Sequence, residues 1–391
     1  MKKIVFFCIP AYGHTNPTLG VVKELVKQGN RVWYYSYEPF REIIEETGAI
    51  FVPCDRFDPP ENLTAKDGAK VAKDIAFATK VLVDTTLAMD DVIYEDLLDI
   101  QPDCIVADSM ALWGKLLARK LNTKFVSSTT TFAFNKESSK IMGQDFSSIA
   151  KMIFAMPKIS KELKRLQEKG YPINNILDII ANDQQTATIV YTSPEFQPCS
   201  ESFTDKYAFV GPSIRPVKEP FRKERDKLIY ISMGTVNNDL LPLYQYCISA
   251  LENTKYQVVV SVGHQVNLEK LQCNTDNISI YPSVDQIAVL QQADLFITHC
   301  GMNSVNEALY FGVPLLMLPQ TAEQRGVARR VEQLGAGVLL KKYNAKSIYE
   351  SVSGLLSSEE YHNNASNISK GFRKCSGAKG AVQKILDVCN S

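Results

Sequence analysis

From Ala293 to Gln324 the chain reads ADLFITHCGMNSVNEALYFGVPLLMLPQTAEQ, and this stretch leaves it little choice of fold. Leu295 to Thr298 is an apolar run, short and sharply bounded enough for a buried strand. A turn of small and polar residues comes next, His299-Cys300-Gly301-Met302-Asn303-Ser304. Val305, Ala308 and Leu309 then share one helical face, and Gly312 is placed to stop the helix. A second buried strand, Val313 to Leu318, ends at Pro319-Gln320, with Glu323 and Gln324 just beyond it. The whole is a βαβ unit whose first turn is rich in hydrogen-bond donors and free of charged side chains.

Gly301 lets the backbone come close to a ligand, and the amides opening the helix point at whatever sits there. Such a turn suits a phosphate. His299 can place a donor against a phosphate oxygen, and Asn303 and Ser304 add two more. Glu307, one turn into the helix, is misplaced against a phosphate but can accept from two vicinal ribose hydroxyls. Glu323 and Gln324 are candidates for the hydroxyls of another sugar. Taken singly, His299 reads better as a residue that merely caps the helix, as Asn303 can. The set at this spacing points to a nucleotide-linked sugar.

HCGMNSVNEA followed by GVPLLMLPQTAEQ resembles the donor-binding signature of family 1 (UDP-glycosyltransferase-like) glycosyltransferases, especially the bacterial macrolide and natural-product branch. The resemblance runs from IPAYGHTNPTLGVVKEL near the start to this block, nearly the whole chain. It implies an α/β chain of GT-B fold, two Rossmann-like, doubly wound parallel-sheet domains facing across a cleft. The implied activity is inverting, metal-independent transfer of a hexose, glucose by default, from a UDP-sugar. The acceptor is a hydroxyl of a small hydrophobic compound such as a macrolide, a flavonoid or another phenol. The UDP-sugar is a co-substrate, and no cofactor is implied.

A length of 391 residues, 45% of them apolar, suits two domains that each fill a core. Lys and Arg number 43 and so do Asp and Glu, which gives no electrostatic reason to bind nucleic acid or a membrane surface. Nine cysteines without C-x-x-C spacing argue against a disulfide framework and for a reducing cytoplasm. No apolar run reaches the ~18 residues a membrane span needs. Lys2-Lys3 followed by IVFFCIPAYG mimics a short signal peptide, but it feeds directly into a helix start and reads better as a first strand.

That strand is Ile4 to Ile9, and Asn16-Pro17 reads as a cap and first residue of the next helix. Strands come next at Val32 to Tyr35 and Ile50 to Val52, with a helix over Glu38 to Thr47 between them. A long helix, Ala72 to Ile100, precedes the strand Cys104 to Ala107, the helix Ala111 to Leu121 and the strand Lys124 to Ser127. From 135 to 182 strand signals give way to amphipathic helix, with Met142, Ile149, Met152, Ile153, Phe154 and Met156. This insertion reads either as part of an adaptable acceptor wall or as a helical hairpin packed on its domain. Strands resume at Ala187 to Tyr191 and Tyr207 to Val210.

The expected organisation is an acceptor domain over 1–212, a Pro- and charge-rich linker over 213–226 and a donor domain over 227–376. Residues 377–391 form a last helix that packs back on the first domain in the resembled fold. In the second domain the strands are Leu228 to Ser232, Gln257 to Ser261 and Ile278 to Tyr281, with a helix over 240–251 and helix again from Ala345 onward. Strands alternating with helices imply parallel sheets, whose ligands bind beyond the strands' carboxyl ends. Gly234-Thr235, Val284, His299 and Gln320 each come directly after a strand of the second domain, and His14 and Asp108 after strands of the first.

His14 and Asp108 are the candidates for chemistry. An acceptor hydroxyl is a poor nucleophile at neutral pH, and imidazole is a base of suitable strength. A carboxylate on its other ring nitrogen fixes the tautomer and stabilises the imidazolium. GHTNP and the Asp108-Ser109 pair resemble the family's base and its partner at matching positions. Ser109 adds no triad, and Asp90-Asp91 read as the solvated face of a helix rather than as paired glycosidase carboxylates. The chain has no D-x-D triplet to clamp a metal on the donor diphosphate.

One departure from the family pattern concerns the base. Relatives carry an aromatic residue just before Val-Pro-Gln, where it stacks on the base, whereas here Ser283 stands there and Asp285 replaces the proline. The backbone of Val284 is left to read the base edge, with Tyr281 as the one nearby ring, and uridine and thymidine both remain open. Two readings compete with transfer: a non-transferring GT-B enzyme such as a sugar-nucleotide epimerase, and a non-catalytic nucleotide-sugar-binding protein. Neither requires His14 and Asp108. A nicotinamide dehydrogenase is a weaker reading still, because no G-x-G-x-x-G follows the first strand.

Overall fold

A computed structural model describes residues 1–54, 74–141, 146–175, 185–234, 240–264 and 266–391. The chain divides into two units. The first comprises Met1–Tyr191, Cys199–Val210 and Ser376–Ser391; the second comprises Thr192–Pro198 and Gly211–Cys375. The fold is GT-B: each unit is a parallel sheet flanked by helices.

In the first unit the strands are β1 (Lys3–Phe7), β2 (Arg31–Ser36), β3 (Ile50–Pro53), β4 (Cys104–Asp108), β5 (Phe125–Thr129), β6 (Ala187–Val190) and β7 (Tyr207–Phe209). They lie in the order β3-β2-β1-β4-β5-β6-β7, each pair parallel. Period-two alternation sorts their side chains onto two faces. Ile4, Phe6, Cys104 and Val106 join Val21, Val22 and Leu25 of the helix Tyr12–Lys27 and Ala381, Val382 and Ile385 of the helix Gly377–Asn390. Val5, Phe7, Ile105 and Ala107 face the other way, against Met89, Ile93 and Leu97 of Ile75–Ile100 and Trp113 and Leu117 of Leu112–Lys120. Both faces are covered, which is why these strands read as unbroken apolar runs.

Two local expectations give way in this unit. The first helix begins at Tyr12, not at Asn16-Pro17, because the Ala11 carbonyl already accepts from the amides of His14 and Thr15, each at 2.9 Å. Pro17 is carried inside the helix, and His14 therefore sits in its first turn. Asp90 is not on a solvated face: it is buried, with both carboxylate oxygens 2.8 Å from Lys120 Nζ and Oδ1 also accepting from the Tyr171 hydroxyl. A buried carboxylate needs such partners, and sequence periodicity cannot reveal them. Within the 135–182 insertion, Ile159, Leu163 and Leu166 pack with Val83 and Leu116, as a helical hairpin does. Met142 lies outside the described residues, and Met156 is exposed.

In the second unit the strands are β8 (Leu228–Ser232), β9 (Gln257–Ser261), β10 (Ile278–Tyr281), β11 (Leu295–Thr298), β12 (Leu315–Met317) and β13 (Gly337–Leu339). Their order is β10-β9-β8-β11-β12-β13, again all parallel. Ile229, Ile231, Val258, Val260, Leu295, Ile297 and Leu316 form its core with Tyr244 and Ile248 of Leu241–Leu251 and Ile348 and Val352 of Ala345–Ser357. Residues 192–198, expected in the first domain, pack here instead. Arg330 donates to the Glu195 and Phe196 carbonyls at 2.8 and 2.9 Å, and Thr192 Oγ1 donates to Asn306 Oδ1 at 3.1 Å.

The two sheets share one topological feature. In each, the winding reverses beside the first strand, between β1 and β4 in one and between β8 and β11 in the other. At such a reversal the connections leave in opposite directions and open a crevice at the strands' carboxyl ends.

Candidate active site

At the reversal of the first sheet, Phe7 of β1 and Ala107 of β4 are paired in register, so both chains leave the sheet at the same edge. Beyond Phe7 the chain turns into the helix that carries His14, and β4 ends on Asp108 itself. The two side chains meet, His14 Nδ1 lying 2.8 Å from Asp108 Oδ2. Asp108 Oδ1 accepts from the Met110 amide at 2.8 Å. The carboxylate is thus held at both oxygens and almost fully buried, whereas the imidazole is one-fifth exposed. An ionised carboxylate only accepts, so Nδ1 carries the proton and Nε2 is the basic nitrogen.

Sequence reasoning missed a third member. Thr130 Oγ1 lies 3.0 Å from the same Nδ1 and is buried directly after β5, the next strand along the same edge. Its position just past a strand was the available signal. Ser109 contributes a backbone amide to the Ser128 carbonyl, part of the β4–β5 ladder. Burial first, and then the charge of Asp108, hold the nearby Cys8 thiol far above its ordinary pKa, so no thiolate competes with the imidazole.

At the reversal of the second sheet, Ser232 of β8 pairs with Thr298 of β11, and Gly234 and His299 lie just beyond them. The His299 ring is wedged between two glycines. A Cβ on Gly234 would stand 2.6 Å from its Nε2, and one on Gly301 would stand 2.7 Å from it. Gly301 has an ordinary negative φ and is the N-cap of the helix Met302–Tyr310; the left-handed residue of the turn is Cys300, at φ 68°. Gly301 therefore serves to admit the ring, while the sharp turn falls on a non-glycine residue at a cost of about 1–2 kcal/mol. The buried Cys300 is held there by its amide donating to Thr298 Oγ1 at 3.2 Å.

Burial pushes the His299 pKa down to about 4, against a smaller opposing effect of a hydrogen bond to the Ser232 backbone. His299 is therefore neutral at physiological pH. Its Nδ1 is buried and finds no hydrogen-bond partner among the described residues. A buried orphan polar atom is costly and is expected where a ligand completes it. Gly301 offers no side chain to cap the helix, so the amides of its opening turn are not capped by that residue.

Glu307 stands one turn into that helix. Gln286 Nε2 donates to Glu307 Oε2 and, at 3.4 Å, to Ser304 Oγ, while Gln286 Oε1 accepts from the Tyr230 hydroxyl at 3.3 Å. Burial raises the Glu307 pKa to about 7, with the Gln286 hydrogen bond and the Arg215 charge pulling the other way. Ser283 is exposed and Val284 half-buried in the loop after β10, and Tyr281 is 41% exposed. Asp285 accepts from the Ala288 amide at 3.1 Å as N-cap of a short helix and is gripped by Arg215 through two hydrogen bonds, at 2.6 and 2.9 Å. Thr235 lies outside the described residues.

Gln324 is partly engaged in the fold. Its Oε1 accepts from the Gln320 and Thr321 amides at 2.8 and 3.1 Å, and its own amide donates to Thr321 Oγ1 at 3.3 Å. This is a capping box opening the helix Ala322–Gln333, so the side-chain oxygen is spent on the fold. Glu323, beside it, is exposed. A hollow of about 580 Å³ between β13 and the helices around it contains none of these groups. No three His, Cys, Asp or Glu side chains converge as metal ligands among the described residues.

Residues 228–382 match the glycosyltransferase family 28 C-terminal domain. Along 98% of its length the chain is 34% identical to the NDP-glycosyltransferase YjiC of Bacillus subtilis, of which it covers 97%. It is also 32% identical to the uncharacterized UDP-glucosyltransferase YdhE of the same organism, covering 98% of each chain. The chain belongs to the UDP-glycosyltransferase-like family of GT-B enzymes. Its fold matches the crystal structure of CalG4, the calicheamicin glycosyltransferase, with a TM-score of 0.82 at 25% identity over 100% of this chain and 98% of that one. The glycosyltransferase thus takes a nucleotide-sugar donor. No helix among its described residues is long and apolar enough to cross a membrane.

Proposed function

We propose that this glycosyltransferase moves a glucosyl unit from UDP-glucose to a hydroxyl of a small hydrophobic natural product, a macrolide, flavonoid or other phenol. It does so with inversion and without a metal ion, in the cytoplasm. The observation that carries the reading is the His14–Asp108 pair, a basic imidazole nitrogen backed by a buried carboxylate at 2.8 Å. A protein that only bound nucleotide-sugars has no use for it.

The reaction is a single in-line displacement. His14 Nε2 takes the acceptor proton as its oxygen forms the new bond to the anomeric carbon, and the bond from that carbon to the donor diphosphate breaks. Asp108 stabilises the imidazolium and holds the ring in place. Charge growing on the departing UDP is met by His299, Asn303, Ser304, Thr235 and the amides opening Met302–Tyr310. Because His299 is neutral, it meets the diphosphate without a net charge that would hold the product. Gly234, Ser283, Val284 and Gly301 shape the donor site, Glu307 takes the ribose hydroxyls, and Glu323 with the Nε2 of Gln324 meets the sugar. YdhE carries the name of a UDP-glucosyltransferase, which supports the choice of donor.

A screen of donor hydrolysis across UDP- and TDP-sugars, followed by mass spectrometry against a panel of phenols and macrolides with and without EDTA, tests this. Expected is a hexosyl adduct from UDP-glucose, unchanged by EDTA and of inverted configuration. Absence of any adduct, or loss of activity with EDTA, contradicts it.

A further inference from the structure

Among the described residues, Ser283 to Asp285 carry no ring for a nucleobase to stack on, and the nearest ring along the chain, Tyr281, is an exposed side chain at the end of β10. On the proposed reading the diphosphate sits at the opening turn of Met302–Tyr310 and the ribose on Glu307. Gln286 touches Glu307, so the base extends past Gln286 toward the segment that precedes it, Ser283 to Asp285. Ser283 offers no ring. What does stand beside this segment is the guanidinium of Arg215.

Arg215 is not a loose surface cation. Its two terminal nitrogens reach the two oxygens of Asp285 at 2.9 and 2.6 Å, a fork that fixes the plane of the group. Asp285 is itself immobilised by the Ala288 amide. Half of the Arg215 side chain remains exposed. Asp285, which it grips, directly precedes Gln286, whose side chain touches Glu307, and this ties Arg215 to the ribose end of the site rather than to a remote surface. A fixed, half-exposed guanidinium plane is a stacking platform for a flat base, as an aromatic ring is.

We propose that Arg215, clamped by Asp285, is the platform on which the donor's pyrimidine base rests. This rests on the donor-site reading above. A stacked guanidinium reads the face of the base and not its edge, so uracil and thymine are held alike.

The test is calorimetric binding of UDP, TDP, uridine and pyrophosphate to the full-length protein and its variants. Arg215→Ala weakens UDP, TDP and uridine about tenfold and leaves pyrophosphate within about twofold. Arg215→Lys keeps the charge but not the plane, and loses most of the same affinity. Asp285→Asn keeps the helix cap, releases the fork and loses about threefold. The proposal is overturned if Arg215→Ala binds UDP like the parent, if Lys restores it fully, or if pyrophosphate weakens as much as UDP. A parent protein that binds no nucleotide at all overturns the donor-site reading as well, which separates the two failures.

Discussion

The two sheet reversals each present a histidine just beyond a strand, and the two are built for opposite purposes. His14 has a buried carboxylate at 2.8 Å on one nitrogen and one-fifth of its side chain exposed. His299 has no carboxylate on its ring among the described residues, is wedged between Gly234 and Gly301, and is pushed by burial to a pKa of about 4. The first sets a carboxylate acceptor on the ring; the second, by burial, disfavours its protonation. Residue type alone says nothing of this difference. The neighbours decide: Asp108 in one case and two missing Cβ atoms in the other.

The largest consequence is kinetic. His14→Ala removes the base, and transfer from UDP-glucose is expected to fall by about 10³-fold or more in steady-state assays. Asp108→Asn, which leaves the ring in place with the wrong tautomer favoured, is expected to cost about 10²–10³-fold, with its pH–rate profile moved. His299→Ala removes one contact to the departing diphosphate and is expected to slow turnover about 10²-fold. A loss from His299→Ala as large as that from His14→Ala would erase the contrast between the two histidines.

Smaller effects sharpen it through pH. The folded His299 pKa lies below its ordinary 6.5, so the unfolded chain binds the extra proton and stability falls as pH drops from about 6.5 to 4. The loss is on the order of 1–3 kcal/mol, and denaturant titrations of His299→Ala should lack that part of it. Glu307 behaves in the opposite window. Its folded pKa of about 7 stands above the ordinary 4.5, so stability is full below 4.5 and declines as pH rises toward 7. Ribose hydroxyls favour the ionised form, so UDP affinity should rise with pH between 6 and 8 by up to about tenfold. Glu307→Gln should bind UDP about tenfold more weakly and lose that part of the pH dependence.

Much of this was legible in the sequence because parallel strands buried on both faces leave unbroken apolar runs, and the residues just after each run gather at one sheet edge. That rule brought His14 to Asp108, and His299 to Gly234, from positions 94 and 65 residues apart. Groups whose role depends on a three-dimensional partner were not legible. Asp90 looked solvated until Lys120 and Tyr171 were found around it. The Gln324 oxygen looked available for a sugar, although Thr321-x-x-Gln324 spelled a capping box. Nor does spacing show that Cys300 takes the left-handed conformation of its turn, or that Gly301 makes room for the His299 ring. The short edge strand Gly337–Leu339 was missed because three residues carry too little pattern.

The most direct test measures turnover and UDP affinity on His14→Ala and His299→Ala side by side. A proton acceptor in one unit and a charge holder in the other predict a crossed result. His14→Ala loses about 10³-fold in kcat with its UDP Kd within about twofold of the parent, and His299→Ala weakens UDP by about tenfold or more. If His14→Ala instead keeps its turnover and weakens UDP as His299→Ala does, the proton is taken elsewhere and the assignment fails.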